Sequence, residues 1–486
     1  MARSFRRGQD HQQRSNRQSP TGPHSAQPSP VDKGAQRSQS PGVRHPIAVL
    51  LCVTPSVLGN GRMPGHAVKP RFVDTETALG TASQCVIFVD GLRARHAGSP
   101  AGRPLALTAT AGAPFLEILI AEASRRGFSR ILLLASRGAR AVINFSAELD
   151  RSRRLRSGLE VLVVPEQSGT AGALRAATPR LEEQFVLLDG QTWFDFNWLD
   201  LAFALPSMPA AAGILALRRE PGAWGGGMAV LDGQKVASFE PLESDPRRLV
   251  NGGVLVCRRS ILEHLPAAGS LETGVLPKLA AQGRLGGRIY DGFYVDIGVA
   301  TGTERALAKI PLIRQRPAAF LDRDGVLNVD HGYVHRPRQL TWIPGAVDAV
   351  KCLNDRGYYV FVITNQAGVA RGYFTEEDVN RFHAHLAGEL RGAGASIDDF
   401  RFCPHHPEAT VMHYRTACHW RKPQPGMILD LMQHWPVVVD RSFVIGDRSS
   451  DIQAASAAGI RGYRFGPGNL RDLVQSIAAP DAVRTT

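Results

Sequence analysis

The chain has 486 residues, 43% of them hydrophobic and 21% charged, the composition of a globular protein; at that length two or three cores are expected, because single cores stop growing near about 250 residues. No apolar run approaches the roughly 20 residues needed for a helix to cross a bilayer, so no membrane-spanning helix and a cytoplasmic location are expected. The formal charge of +13 does not imply a nucleic-acid partner, since no aromatic-basic module accompanies it and a protein that handles phosphates has its own reason to be basic.

Much of that charge lies at the start of the chain. Residues 1–80 carry 11 Lys/Arg against 4 Asp/Glu and are rich in Ser, Gln, Pro and Arg, a tail expected to be disordered and basic. Arg6 and Arg7 are followed by no apolar segment, which argues against an export signal. From 84 to 312 the pattern predicts strands at 85–89, 130–134, 159–164 and 185–188 and a helix at 115–126, a mixed-sheet α/β domain. The basic segment 313–317 reads as a short linker. A second domain over 317–480 then predicts strands at 318–321, 358–363, 400–403, 443–445 and 462–465. Its helices are expected at 346–356 and after Thr375, whose hydroxyl can cap. The second domain is expected to be a doubly wound α/β unit without a large cap. The six cysteines are too spread for a secreted disulfide framework.

Most of the chemically suggestive residues of the second domain follow one of these strands. Asp322 and Asp324 close the strand 318–321, and ligands of open α/β sheets bind beyond the carboxyl ends of strands. Asp-x-Asp-Gly alone also occurs in calcium loops and ordinary turns. What distinguishes it here is the remaining set: Thr364-Asn365-Gln366 after the second strand, Arg421-Lys422-Pro423 before a helix, and Gly446-Asp447 after the fourth, with Asp451 four residues on.

A phosphate monoester repels a carboxylate nucleophile, so a magnesium ion held by acids must offset the charge. Asp322 can then attack phosphorus to give an aspartyl-phosphate, and Asp324 can protonate the departing alkoxide and later activate water. Thr364, Asn365, Gln366 and Lys422 would hold phosphate oxygens. Asp322 and Asp447 would hold magnesium with the backbone carbonyl of Asp324. Asp322→Asn should therefore abolish turnover.

Asp322-Arg-Asp-Gly-Val-Leu-Asn-Val-Asp-His-Gly-Tyr-Val334, Thr364-Asn-Gln-Ala-Gly-Val-Ala-Arg-Gly372, Cys403-Pro-His-His-Pro407 and Arg421-Lys-Pro-Gln-Pro-Gly426 together resemble the haloacid-dehalogenase superfamily, and within it the heptose 1,7-bisphosphate 7-phosphatase family. The resemblance covers about residues 317–466. It implies that Asp330, His331, Gly332, Tyr333 and Arg421 contact the sugar or its far phosphate, and that Arg448 stands where the family often has lysine. Histidinol-phosphate phosphatases share the catalytic acids and remain open as an alternative, as does a sugar-phosphate sensor that binds without turnover.

Cys403, His405 and Cys418 resemble a structural zinc loop with three cysteines and one histidine. The last cysteine would fall at position 420, which is Trp420. Three ligands with water, substitution by His406, His413 or His419, and a zinc-free loop packed around Trp420 all stay open.

Gly169-Thr-Ala-Gly-Ala-Leu174, Asn251-Gly-Gly253 and Asp291-Gly-Phe-Tyr-Val-Asp-Ile-Gly298 resemble sugar-nucleotidyltransferases of the heptose 1-phosphate type. The departures fall on the chemistry. The glycine-rich nucleotide loop is replaced by Asp90-Gly-Leu-Arg-Ala-Arg95, its following basic residue has only Arg103 nearby, and the metal-binding acid is Gln191, leaving Asp296 without its partner. The first domain therefore reads as a degenerate scaffold or sugar-phosphate module, with active nucleotidyl transfer, which would make the chain bifunctional, and an unrelated glycosyltransferase-like role as the alternatives. The resemblance of the two halves to consecutive steps of nucleotide-heptose synthesis favours a heptose bisphosphate substrate and a role in lipopolysaccharide assembly.

Overall fold

The computed structural model describes residues 82–90, 104–110, 112–152, 157–219, 228–240, 249–299 and 301–478. The tail at 1–80, Gly91 to Arg95 and Arg103 lie outside the described residues. No helix among the described residues is long and apolar enough to cross a membrane.

The first lobe is built on a nine-stranded sheet in the spatial order Gly158–Val163, Arg130–Ala135, Gln84–Phe88, Gln184–Asp189, Leu249–Arg258, Gly213–Arg219, Leu285–Ile289, Lys235–Glu240 and Met228–Asp232. Its first four strands run parallel, and Leu249–Arg258 enters antiparallel between two neighbours. Gln84–Phe88 is buried along its whole length, because one apolar cluster covers each face of the sheet; that is why it reads as a continuous apolar run rather than an alternation. The mixed sheet is as the sequence implies.

The second lobe carries five parallel strands in the order Asp399–Cys403, Tyr359–Asn365, Ala318–Leu321, Phe443–Gly446 and Arg461–Arg464. Chain order reverses at the central strand, so the crevice between the ends of Ala318–Leu321 and Phe443–Gly446 is the switch point where a doubly wound sheet binds ligands. Helices Ala346–Asp355 and Glu376–Gly392 cover the sheet. The second starts on a capping box in which Thr375 Oγ1 accepts from Asp378 N and Asp378 accepts from Thr375 N.

The segment read as a linker at 313–317 is not one. Helix Gly302–Arg314 runs through Pro311 into it, and Arg316 is 2% exposed. Its backbone bridges Val437 in parallel, and its guanidinium donates to Asp195 Oδ1 at 2.6 Å and to Gly357 O at 3.4 Å. The physical cause is burial: a guanidinium removed from water must be paired, and Asp195 of the first lobe supplies the partner. Other ties cross the same boundary, Arg125 to Asp398 at 2.7 Å, Lys351 to Asp200 at 2.6 Å and Asn197 Nδ2 to Asp355 at 2.8 Å. Burial opposes ionisation of Glu122 in this network, but Arg125, Arg126 and Arg316 outweigh it and hold the carboxyl well below its usual range.

Candidate active site

Asp322 follows the central strand, its N–H donating to Ile445 O at 2.9 Å. Asp447 follows the neighbouring strand, and Asp451 lies in the first turn of helix Ser449–Ala457. One carboxylate oxygen from each of Asp322, Asp447 and Asp451 lies within 4.8 Å of the others. Lys422 Nζ sits among them, 2.9 Å from Asp322 Oδ2, 2.5 Å from Asp451 Oδ1 and 2.9 Å from Ile363 O. Burial pushes the Asp322 carboxyl up to about 7; Lys422 opposes the shift, and the charges of Asp451 and Asp324 add to it. Burial likewise raises Asp447, against Arg448 and with Asp451.

Three acids thus face one lysine, and Asp447 Oδ1 is buried without a hydrogen-bond partner. An oxygen-only donor set with excess negative charge and an unsatisfied carboxylate oxygen fits a hard divalent cation such as magnesium. Gly325, at φ +85°, makes room for this arrangement: a Cβ there would lie 2.5 Å from Asp447 Oδ2.

The Asp324 side chain is not in the acid cluster but is gripped separately. Arg323 donates to it from Nε and Nη2 at 2.7 to 3.1 Å, Asn328 Nδ2 at 3.0 Å and Gln366 Nε2 at 2.9 Å. Burial opposes its ionisation, yet Arg323 and these hydrogen bonds prevail and hold the carboxyl below the usual range.

Thr364 and Asn365, which end strand Tyr359–Asn365, and Gln366, which follows it, divide their tasks. Thr364 is buried and its Oγ1 accepts from Gln366 Nε2 at 2.8 Å. Asn365 commits both ends of its amide to the backbone of Lys422, accepting from N and donating to O at 3.0 Å each. In this arrangement Asn365 positions the lysine and Gln366 positions Asp324.

The rim collects the remaining residues. Asp330 Oδ2 accepts from Arg448 Nη2 at 3.1 Å and its Oδ1 from Gly332 N at 2.9 Å. His331 Nε2 lies 3.4 Å from Thr341 Oγ1. Tyr333 is 41% exposed, packs edge-on against Tyr373 at 4.8 Å and has Arg371 5.8 Å from its ring centre. Burial lowers the Arg421 guanidinium, and repulsion from Arg371 and Arg448 contributes, so three arginines gather at this mouth. Arg371, Arg323 and Asn328 stand in the quoted motifs without an assigned role. Asp451, noted in the sequence for its spacing of four after Asp447 but given no role there, is the third acid of the cluster.

Cys403, His405 and Cys418 come together, one donor atom from each within 4.8 Å of the others. They do not complete a closed tetrahedral zinc site: among the described residues no fourth donor joins them, and Trp420 packs against the apolar cluster beneath. The loop is held instead by Arg421 Nη1 to His405 O at 3.1 Å, Val411 N to Ala370 O at 2.9 Å and Tyr414 OH to Glu376 at 2.8 Å. Burial and the neighbouring Cys418 push the Cys403 thiol up to about 12.

In the first lobe, Gln184–Asp189 ends at Asp189, whose Oδ1 accepts from Gln191 N at 2.9 Å. Gln191 Nε2 donates to Asp90 O at 2.6 Å, and Asp296 Oδ1 accepts from Gly298 N at 2.7 Å. A Cβ on Gly298 would lie 2.7 Å from Gln191 Oε1 and 2.9 Å from Asp296 Oδ1, so amide and carboxylate flank the same glycine.

Residues 419–485 match the HAD-hydrolase-like family model. The chain is 60% identical over 151 residues, 31% of this chain and 84% of the relative, to D-glycero-beta-D-manno-heptose-1,7-bisphosphate 7-phosphatase of Rhodopseudomonas palustris. It is similar to the crystal structure of D,D-heptose 1,7-bisphosphate phosphatase from B. bronchiseptica complexed with magnesium and phosphate, at 32% identity over 35% of this chain and 90% of that one, with a TM-score of 0.29. It is also similar to the inositol-1-phosphate CTP transferase from T. maritima, at 15% identity over 48% of this chain and 97% of that one, with a TM-score of 0.39.

Proposed function

The chain belongs to the family of D-glycero-beta-D-manno-heptose-1,7-bisphosphate 7-phosphatases, HAD-like hydrolases, and from that premise we propose that it removes the 7-phosphate of this sugar bisphosphate through an aspartyl-phosphate on Asp322. The observation that carries the reading is the cluster of Asp322, Asp447, Asp451 and Lys422 at the switch point, with Asp447 Oδ1 unsatisfied.

Asp322, Asp447 and the backbone carbonyl of Asp324 would hold magnesium. When bound, the ion supplies positive charge that offsets the repulsion between phosphate and carboxylate. An oxygen of Asp322 forms the bond to phosphorus as the bond to the sugar oxygen breaks; Asp324, ionised in the resting site, takes up a proton when the phosphate monoester binds beside it and gives that proton to the sugar oxygen. Asp324 then takes a proton from water, whose oxygen bonds to phosphorus as the bond to Asp322 breaks. Inorganic phosphate leaves and both aspartates return to their starting forms. Lys422 and the Thr364 hydroxyl steady the equatorial oxygens as charge shifts.

The mouth favours a second anionic group over a cationic one. Arg371, Arg421 and Arg448 would attract the far phosphate of a bisphosphate, whereas histidinol phosphate presents an ammonium there. The product, a heptose 1-phosphate, suits the nucleotide-heptose branch of lipopolysaccharide assembly. For the first lobe we infer a scaffold role, since Gln191, a neutral amide, bonds to the Asp90 carbonyl where a metal-binding acid would be needed.

Phosphate release from D-glycero-D-manno-heptose 1,7-bisphosphate and from histidinol phosphate should be compared under equal magnesium. Faster release from the sugar bisphosphate is expected; faster turnover of histidinol phosphate would overturn the assignment.

A further inference from the structure

Arg323 lies between the two catalytic acids, yet its side chain is fully out of solvent. A buried guanidinium is stable only where its donors are met, and the partners of Arg323 come from two different parts of the site. Nε and Nη2 hold both oxygens of Asp324, at 3.1 and 3.0 Å to Oδ1 and 2.7 Å to Oδ2. Nη2 also donates to Val334 O at 2.6 Å, while Nη1 lies 3.5 Å from His383 Nε2 and the group stands 4.7 Å over the Phe382 ring. Phe382 and His383 belong to helix Glu376–Gly392 and are themselves buried, so the guanidinium has a rigid back wall.

Val334 ends the loop that begins at Asp330. Immediately before it, Tyr333 is the one non-glycine residue with a left-handed φ, +55°, among the described residues, and a bulky side chain rarely holds that conformation unless its surroundings impose it. The loop is therefore fixed at its far end by the same guanidinium that fixes Asp324.

We propose that Arg323 is a positioning residue that ties the seating of substrate on the 330–334 loop to the orientation of the Asp324 carboxyl. This rests on Asp324 as acid and base. Lysine cannot replace it fully, because one ammonium lacks the planar fork that reaches both oxygens and the carbonyl together.

The test is pre-steady-state kinetics of full-length Arg323→Met, Arg323→Lys and Asp324→Asn with two substrates. p-Nitrophenyl phosphate has a leaving group that needs no proton, so formation of the aspartyl-phosphate should stay within about threefold of wild type in all three variants, while its hydrolysis slows. A nitrophenolate burst should appear, with steady-state turnover down by about 100-fold in Arg323→Met, the range of a lost general base, and by less in Arg323→Lys. The KM for the heptose bisphosphate should rise several-fold in the Arg323 variants and that for p-nitrophenyl phosphate should not. A burst in Asp324→Asn but in neither Arg323 variant would overturn the positioning role while leaving Asp324 in place. No burst in Asp324→Asn would instead overturn the acid-base reading beneath it. If Arg323→Met does not fold, Arg323→Lys carries the test, and wild-type behaviour there overturns the proposal.

Discussion

The ammonium of Lys422 lies 2.9 Å from Asp322 Oδ2, with the two side chains 2% and 10% exposed. Each is the other's principal compensation in the low-dielectric floor of the site. Lys422→Met leaves Asp322 and Asp451 buried without their cation, and the metal-free protein should lose about 3–5 kcal/mol of stability. Urea unfolding with and without magnesium measures this. Magnesium should restore part of the loss; unchanged stability without the metal would show that the pair is not holding the site.

The raised carboxyl of Asp322 has a sign that can be worked out. Its folded value, about 7, stands above the ordinary 3.8, so without metal its contribution to stability is fully present below about 3.8 and is lost as pH rises through about 7. Magnesium favours the ionised form. The thermal shift on adding magnesium should therefore be small at pH 5.5 and larger at pH 8, which differential scanning calorimetry can read. Equal shifts at both would place the ion away from Asp322.

At the boundary between lobes, Arg316 and Asp195 form a pair with side chains 2% and 1% exposed. Arg316→Met removes the guanidinium from a site built for it, and a loss of about 3–5 kcal/mol is expected in equilibrium unfolding. A change under about 0.5 kcal/mol, the range of ordinary surface substitutions, would mean that the boundary does not depend on this pair.

Among the described residues, the three-donor cluster of Cys403, His405 and Cys418 has no fourth ligand of a closed zinc site. Metal analysis of the purified chain should find zinc well below one equivalent, and a zinc-selective chelator should leave magnesium-dependent phosphate release unchanged. Tightly held stoichiometric zinc would show that water or a nearby histidine completes the site.

The second lobe was legible because its three central strands, Ala318–Leu321, Tyr359–Asn365 and Phe443–Gly446, are short, apolar and buried, and because the chemistry falls at their ends. Ala318–Leu321 followed by Asp322, and Phe443–Gly446 followed by Asp447, need only the rule for strand ends to be placed together. Arg323 and Arg316 were not legible for a common reason. A charged residue is expected at the surface, and what draws it inside is a partner distant in sequence, Asp195 for Arg316 and the Val334 carbonyl for Arg323. Asn365 and Gln366 show a similar limit. Their positions at the end of a strand indicate the site, but an amide donates equally well to phosphate and to protein, and only the fold places Lys422 and Asp324 within its reach.

Asp322 as covalent nucleophile is tested most directly by phosphate release from D-glycero-D-manno-heptose 1,7-bisphosphate by Asp322→Asn, with circular dichroism to establish that the variant is folded. An amide cannot form the aspartyl-phosphate, so turnover should fall by at least about a thousand-fold. Undiminished phosphate release from the folded variant would contradict the covalent mechanism.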